Sequence, residues 1–510
     1  MEEHVRGGWR MDEALRKLQP YFEKIPSVSR PKRHVPFKEK FAWTVIILLL
    51  YFVLSNVPLF GLSPQSIDLF ARFRAFFAGK GGTIIALGIG PIVTASVIVQ
   101  LLVGAGIIEL DLTDPDDQAA YQDFQRFLVL VMIALEALPQ ILGGFLKPSV
   151  EVARALGVSP AVISALLFIQ LFIGGVLIVY MDEVVSKWGI GSGVSLFILA
   201  GISQAIVTGL INWIVPSGSK LPAGIIPRWI WIAQHMSAAE LMTLAGIKFI
   251  LIDGGVLALI TTTIIILLVV YAEGTRVEIP LSHSMVRGAR GRYPLKLIYT
   301  SVLPMIFVRA LQANIEIFGL ILYRHGIKVL GEYVGTQPVN GIMYLLNPIR
   351  GPNDWIPELV KAKYKLMVET YHIHIPPPPD WMIFLHLLTD ATILIIGGVL
   401  FSIFWMETSG MDPKTIAEQL AKSGMQIPGF RKNPRVLEKV LERYIPKVTV
   451  VGGAVIGALT LIANMLGTIG HVTGTGLLLA VSIAYQYYED LAKEQLTEMH
   501  PMIRKILGEE

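Results

Sequence analysis

The chain has 510 residues, 53% of them hydrophobic and only 16% charged, where a water-soluble domain carries about 25% charged residues. That depletion excludes a wholly water-solvated fold. The absence of cysteine excludes disulfides, thiol nucleophiles and cysteine-bound metals, and the net charge of +4 hides a strongly uneven distribution of Lys and Arg.

Residues 1–40 are polar and basic, without an apolar core ahead of a small-residue cleavage site. The first apolar span is therefore expected to act as an uncleaved signal. Within Met11–Lys24, Leu15, Leu18 and Phe22 recur at helical spacing among charges. This predicts an amphipathic helix, either in the membrane interface or packed on the protein.

A bilayer-crossing helix needs about 20 mostly apolar residues. By that criterion the chain offers ten spans: Phe41–Leu59, Ile84–Ile108, Phe124–Leu146, Ala161–Tyr180, Gly193–Val215, Phe249–Tyr271, Leu295–Leu322, Trp381–Trp405, Val448–Leu466 and the shorter Gly476–Tyr488. These runs are too long for the alternating strands, about ten residues each, of an outer-membrane barrel. The prediction is an all-α polytopic membrane protein.

An even number of spans puts both termini on one side. Basic residues cluster before Phe41, after Tyr271 (Arg276, Arg287, Arg290, Arg292, Lys296) and after Trp405 (Lys414 to Lys447). All three segments fall on the same side, which the positive-inside rule makes cytoplasmic. The acidic segment Glu109–Asp117 lands there too, but acidic residues carry little topological weight. The long proline-rich segment Tyr323–Asp380 is then external.

Between the first two spans, Ser63-Pro64 can start a helix. Ile67, Phe70, Phe73 and Phe77 follow at three- and four-residue steps, and Gly79–Gly82 ends it. It is too short to cross a bilayer. It either re-enters and packs inside the protein or lies on the outer surface.

No phosphate-binding loop or HExxH motif occurs. The glycine clusters Gly88–Gly90 and Gly189–Gly193 border apolar spans, so tight bends and close helix approach account for them. Gly453 and Gly457 form a GxxxG pair suited to internal helix packing. His386 and His471 lack partners at ligand spacing, so no metal or other cofactor is expected. Energy for any transport must come from a partner or a gradient.

Charges inside spans mark functional sites by default. Glu136 lies mid-span. Arg309, Asn314 and Glu316 share the seventh span, with Arg309 and Glu316 on one face two turns apart. Thr94 lies in the second. They form either a hydrated path or a polar seam between helices.

Several longer stretches resemble the SecY family of protein-translocation channels, archaeal in style. Gly88-Ile-Gly-Pro-Ile-Val-Thr-Ala-Ser through Gln100 is similar to the family's second span. Asp182-Glu-Val-Val-Ser-Lys-Trp-Gly-Ile-Gly-Ser-Gly-Val-Ser-Leu-Phe-Ile resembles the approach to its fifth. Val277-Glu-Ile-Pro-Leu-Ser-His with Gly291-Arg-Tyr-Pro-Leu-Lys, and Met406-Glu-Thr-Ser-Gly-Met-Asp-Pro-Lys with Lys422-Ser-Gly-Met-Gln-Ile-Pro-Gly-Phe-Arg431, resemble two large cytoplasmic connections. The matches run in family order over nearly the whole chain.

The resemblance implies two pseudo-symmetric five-helix halves, residues 41–215 and 249–491. They are joined by an external loop, 216–248, and flanked by a cytoplasmic N-terminal segment, 1–40, and tail, 492–510. It implies a pore ring of Ile89, Val93, Val194, Ile198, Ile306 and Leu479. A plug would fall within 63–78 and include Ser66, Ile67, Phe70, Phe73 and Phe77. Thr94, Glu136 and Asn314 match lateral-gate positions, and on the same arrangement Arg309, one turn beyond Ile306, is expected to reach the outer funnel or to pair with Glu316. The loops 274–293 and 407–446 become a ribosome- or partner-docking surface carrying Arg287, Arg290, Arg292, Arg431 and Lys432. Implied partners are a gamma-type (SecE) subunit, a small beta-type subunit, ribosomes with nascent chains, signal peptides and lipid, but not DNA. The implied location is the cell membrane, and the implied activity is translocation without catalysis. A secondary solute transporter would also explain ten spans and buried charges. An intramembrane enzyme is disfavoured by the missing catalytic constellation.

Overall fold

The structure, a computed structural model, describes residues 20, 22, 24–33, 35–66, 77–104, 107–108, 115–215, 221–283, 290–298, 303–371, 376–422, 425–426 and 434–499. Long helices dominate. In chain order the first half contains α1 (Phe37–Leu54), α2 (Gly90–Gly104), α3 (Pro115–Leu142), α4 (Val150–Leu156), α5 (Pro160–Trp188) and α6 (Gly193–Ile211). Three short helices follow, α7 (Ile225–His235), α8 (Ala238–Leu241) and α9 (Leu244–Ile252), and then α10 (Val256–Gly274). A hairpin of β1 (Arg276–His283) and β2 (Arg290–Lys296) leads into α11 (Leu303–Arg324). The next polar segment holds β3 (Tyr333–Val334), β4 (Gln337–Pro338), α12 (Gly341–Leu346) and α13 (Pro357–Tyr371). The chain closes with α14 (Asp380–Thr408), α15 (Pro413–Lys422), β5 (Met425–Gln426), α16 (Pro434–Leu466) and α17 (Gly474–Met499).

Among the described residues seven helices are long and apolar enough to cross a membrane: α3, α5, α6, α10, α11, α14 and α16. The other three expected spans are helical but fall short of that measure. α1 carries Lys38, Glu39 and Lys40 in its first turn, α2 has only 15 residues, and the later half of α17 is polar. α11 is the central helix: its apolar window is 61% buried, against 22–44% for the other six.

Two expected spans begin differently from the hydropathy pattern. Ile84–Ile108 opens as a run of turns, and α2 starts only at Gly90. The reason is local. Gly88 adopts φ +58°, and the Ile84 carbonyl lies against Gly174 of α5, where a Cβ would come within 1.9 Å. Non-helical backbone at membrane depth survives only when buried in protein, and the missing side chain of Gly174 permits that burial. The sixth span is broken at Gly254-Gly255, with Gly255 at φ +76°. Trp229 Nε1 donates to the Gly254 carbonyl at 2.8 Å and Arg228 to that of Asp253, satisfying groups that the break frees, while Arg228 also holds the Pro222 and Ala223 carbonyls ahead of α7.

The GxxxG pair packs internally. A Cβ on Gly457 would lie 2.5 Å from the Leu394 carbonyl, and one on Gly453 2.9 Å from that of Gly398, so α16 approaches α14 backbone to backbone. The Gly189–Gly193 cluster serves a crossing of chains. Ile190 N–H donates to Thr44 Oγ1 at 3.0 Å, and Tyr487 OH donates to the Ser192 carbonyl at 2.8 Å.

At one end of the bundle β5 pairs with β1, giving the sheet order β2-β1-β5. The two basic connections are thereby one body, packed over Ile279, Leu295, Leu437, Leu441 and Ile445. Arg276 and Lys296 at the hairpin base share Glu489 of α17, at 3.0 and 2.6 Å. Within residues 323–371, Val334, Val339, Val360 and Tyr364 cluster around Ile383 of α14, while Tyr333 and Met343 join the central core. Of the expected N-terminal helix Met11–Lys24, Pro20, Phe22 and Lys24 are among the described residues and the rest lie outside them. Phe22 packs on Phe127 with ring centroids 4.7 Å apart.

Candidate functional site

The central apolar cluster takes side chains from both halves. Ile89, just before α2, Val93 on α2, Ile198 on α6, Ile306 on α11 and Leu479 on α17 are all buried within it, and Val194 packs against it partly exposed. The expected ring residues are thus members of one core.

The Gly88-Ile89-Gly90 turn shows how the sequence builds this place. Ile89 N–H donates to the Phe77 carbonyl at 2.7 Å. A Cβ on Gly88 would stand 2.0 Å from that same carbonyl, so only glycine admits the end of the plug segment. Phe77 is buried, and Tyr51 OH donates to the Ala78 carbonyl at 2.8 Å. Ala78 itself sits at φ +51°, a strained region for a residue with a Cβ. A cavity of about 1050 Å³ is lined by Tyr51, Ala78, Gly201, Ala205, Asn212 and Gly470, so the plug's end and α6 border one open space. Ser66 exchanges hydrogen bonds with Lys147, its backbone nitrogen lying 3.0 Å from the Ser66 hydroxyl. Ile67, Phe70 and Phe73 lie outside the described residues.

Thr94, Glu136 and Asn314 come together from α2, α3 and α11. The Asn314 amide donates to Thr94 Oγ1 at 3.3 Å, and Thr94 donates to Glu136 Oε1 at 2.9 Å. The Asn314 amide also holds the Ala310 carbonyl of its own helix at 3.0 Å. The other Glu136 oxygen has no hydrogen-bond partner among the described residues and faces Gly90, where a Cβ would stand 3.0 Å away. A polar seam therefore links α2, α3 and α11, made of single hydrogen bonds among apolar side chains.

The structure corrects the expectation for Arg309. It neither enters an open funnel nor pairs with Glu316. Its guanidinium is 2% exposed and bonds Asp390 of α14 at 3.1 Å, with Asp390 fully buried. Its Nε donates to Thr475 Oγ1 of α17 at 3.0 Å, and another nitrogen donates to Gln312 at 2.5 Å. Seven residues of separation put Arg309 and Glu316 on one helix face, but a buried cation takes the partner that meets it across the interface. Asp390 is the only acidic residue in Trp381–Trp405. An intramembrane carboxylate is the signal that would have flagged it.

Of the docking residues, Arg290 lies in β2 opposite Ser282. Arg292 is exposed and paired with Glu278. Arg287, Arg431 and Lys432 lie outside the described residues.

The SecY family profile matches residues 83–488, and the profile for the plug domain of Sec61p matches residues 49–82. The protein translocase subunit SecY of Archaeoglobus fulgidus is 69% identical over 500 residues, covering 98% of this chain and all of that one. Among solved structures, a protein-conducting channel superposes with TM-score 0.77 at 38% identity, covering 96% of this chain and 99% of that one. Sec61 from a canine ribosome-channel complex superposes with TM-score 0.75 at 38% identity and the same coverage. Nothing in these likenesses supports a solute transporter. The family match over most of the chain, the plug-domain match ahead of it and the identity to archaeal relatives show that the chain belongs to the SecY family of protein translocase subunits, as a multi-pass protein-conducting channel of archaeal type.

Proposed function

We propose that Ile89, Val93, Val194, Ile198, Ile306 and Leu479 form the constriction of the channel. An apolar constriction dewets and resists ions, yet its flexible side chains can spread around a passing peptide. The plug, ending at Phe77 and Ala78, closes it from the outer side. The Asn314–Thr94–Glu136 seam is the lateral gate, where the wall parts to pass a hydrophobic segment into lipid. The observation that carries this reading is the burial of aliphatics from both halves in one core beside that seam.

The joined hairpin and β5 unit is the docking face for a ribosome, whose phosphates suit Arg and Lys. A solved relative drawn from a ribosome-channel complex supports that assignment. Both termini and this face lie in the cytoplasm of a cell whose plasma membrane the chain spans. A gamma-type (SecE) subunit and a small beta-type subunit complete the assembly, and signal peptides bind at the gate. The chain itself is not an enzyme, so driving energy comes from its partners.

Ion conductance of the purified channel in a planar bilayer tests the constriction. Ile89→Ser and Ile306→Ser should each raise resting conductance several-fold over the parent. Conductance unchanged in both removes the ring from the proposal.

A further inference from the structure

We propose that Arg309 is a positioning residue of the constriction, locking α11, α14 and α17 into one moving body. This rests on the reading of Ile306 and Leu479 as ring members. Arg309 lies one turn beyond Ile306 on α11, and Thr475 lies one turn ahead of Leu479 on α17. The Arg309–Thr475 bond at 3.0 Å therefore ties together the two helices that supply the ring from the second half. Asp390 adds α14 at 3.1 Å.

The network also reaches the end of α12 and the segment after it. Gln312 donates to the Leu346 carbonyl, and Ile349 N–H donates to Asp390 at 3.4 Å. Neither charge touches water. Removing one member leaves the other buried and uncompensated, a large penalty. The seam toward the first half is different in kind, a neutral amide–hydroxyl contact of 3.3 Å at Asn314 that contributes far less. The wall is thus built to part on one side of α11 and to hold on the other. When the gate opens, Ile306 and Leu479 travel together.

The chain has no cysteine, so introduced thiols are the only ones present. Phe318 on α11 and Tyr488 on α17 are exposed. Spin labels at Phe318→Cys and Tyr488→Cys should report a single narrow distance in the otherwise parental channel. In Arg309→Leu/Asp390→Leu, which removes the pair without stranding a charge, the distribution should broaden and resting conductance should rise several-fold. A narrow distribution with parental conductance overturns the proposal. If the double variant fails to fold, Arg309→Lys takes its place. It keeps a charge for Asp390 but lacks the fork that reaches Thr475 and Gln312 together. It should broaden the distance as well, and an unchanged distance again overturns the proposal. Failure of the constriction reading is visible separately, because Ile306→Ser would then leave conductance unchanged while the label distance still judges Arg309.

Discussion

Gly88 and Gly144 both sit at positive φ, +58° and +68°, but their surroundings differ. A Cβ at Gly144 meets nothing within 4 Å, whereas one at Gly88 would overlap the Phe77 carbonyl at 2.0 Å. Gly144→Ala should therefore cost only the left-handed penalty, about 1–2 kcal/mol. Gly88→Ala should cost clearly more, because it must also displace the plug's end. Thermal unfolding in detergent measures both, and equal losses would contradict the close approach of Phe77 to the turn. The turn itself was legible from its glycines. Its partner was not, because hydropathy carries no information about which carbonyl arrives from another segment. The same limit hid the partner of Arg309. Helical spacing finds neighbours on one helix, and Asp390 lies on a different one, 81 residues along the chain.

At the scale of elements, hydropathy located the spans but could not see their breaks. The turns before Gly90 and the interruption at Gly254-Gly255 are written in φ angles and in buried carbonyls rather than in apolarity. The pairing of β5 with β1 was equally hidden, since two-residue pairing leaves no periodic signal. Segment 323–380 reads as a polar loop, yet its described residues carry both an apolar cluster and an ionic clasp at Asp354. Burial alone would push the Asp354 carboxyl up. Lys363, at 2.6 Å, and Arg350 outweigh it and hold the carboxyl below its ordinary value. A depressed folded value means the clasp stabilises fully above the unfolded value, about 3.9, and its contribution fades as pH falls through the folded one. Protease resistance of segment 323–380 should hold at neutral pH and drop below about pH 4. Asp354→Asn should lower resistance at neutral pH and flatten that acid dependence. An acid profile identical to the parent's would show that the clasp contributes nothing.

At the scale of the whole molecule, the bundle joins two kinds of contact. Backbone-close glycine packing and the Arg309–Asp390 pair consolidate the second half. Between the two halves, α2 and α11 meet through apolar side chains and the Asn314–Thr94 bond, whereas elsewhere Gly209 meets Gly470 backbone to backbone and Lys40 of α1 pairs with Glu494 of α17 at 2.6 Å. On the proposed reading, the side where α2 meets α11 is the wall that parts. The fold class was legible from composition and span lengths, and the resemblance of their motifs singled out Thr94, Glu136 and Asn314, which the structure brings into one hydrogen-bonded group; their role as a gate belongs to the proposal. The way each half is consolidated emerged only from the three-dimensional contacts. The most direct measurement of a peptide path through the buried aliphatic core is site-specific photo-crosslinking to a secretory nascent chain stalled on ribosomes. Photoreactive residues at Ile89 and Ile306 should capture the nascent polypeptide, whereas one at the exposed Ile169 of α5 should capture none. Crosslinks absent from Ile89 and Ile306, or no stronger there than at Ile169, would place the path elsewhere.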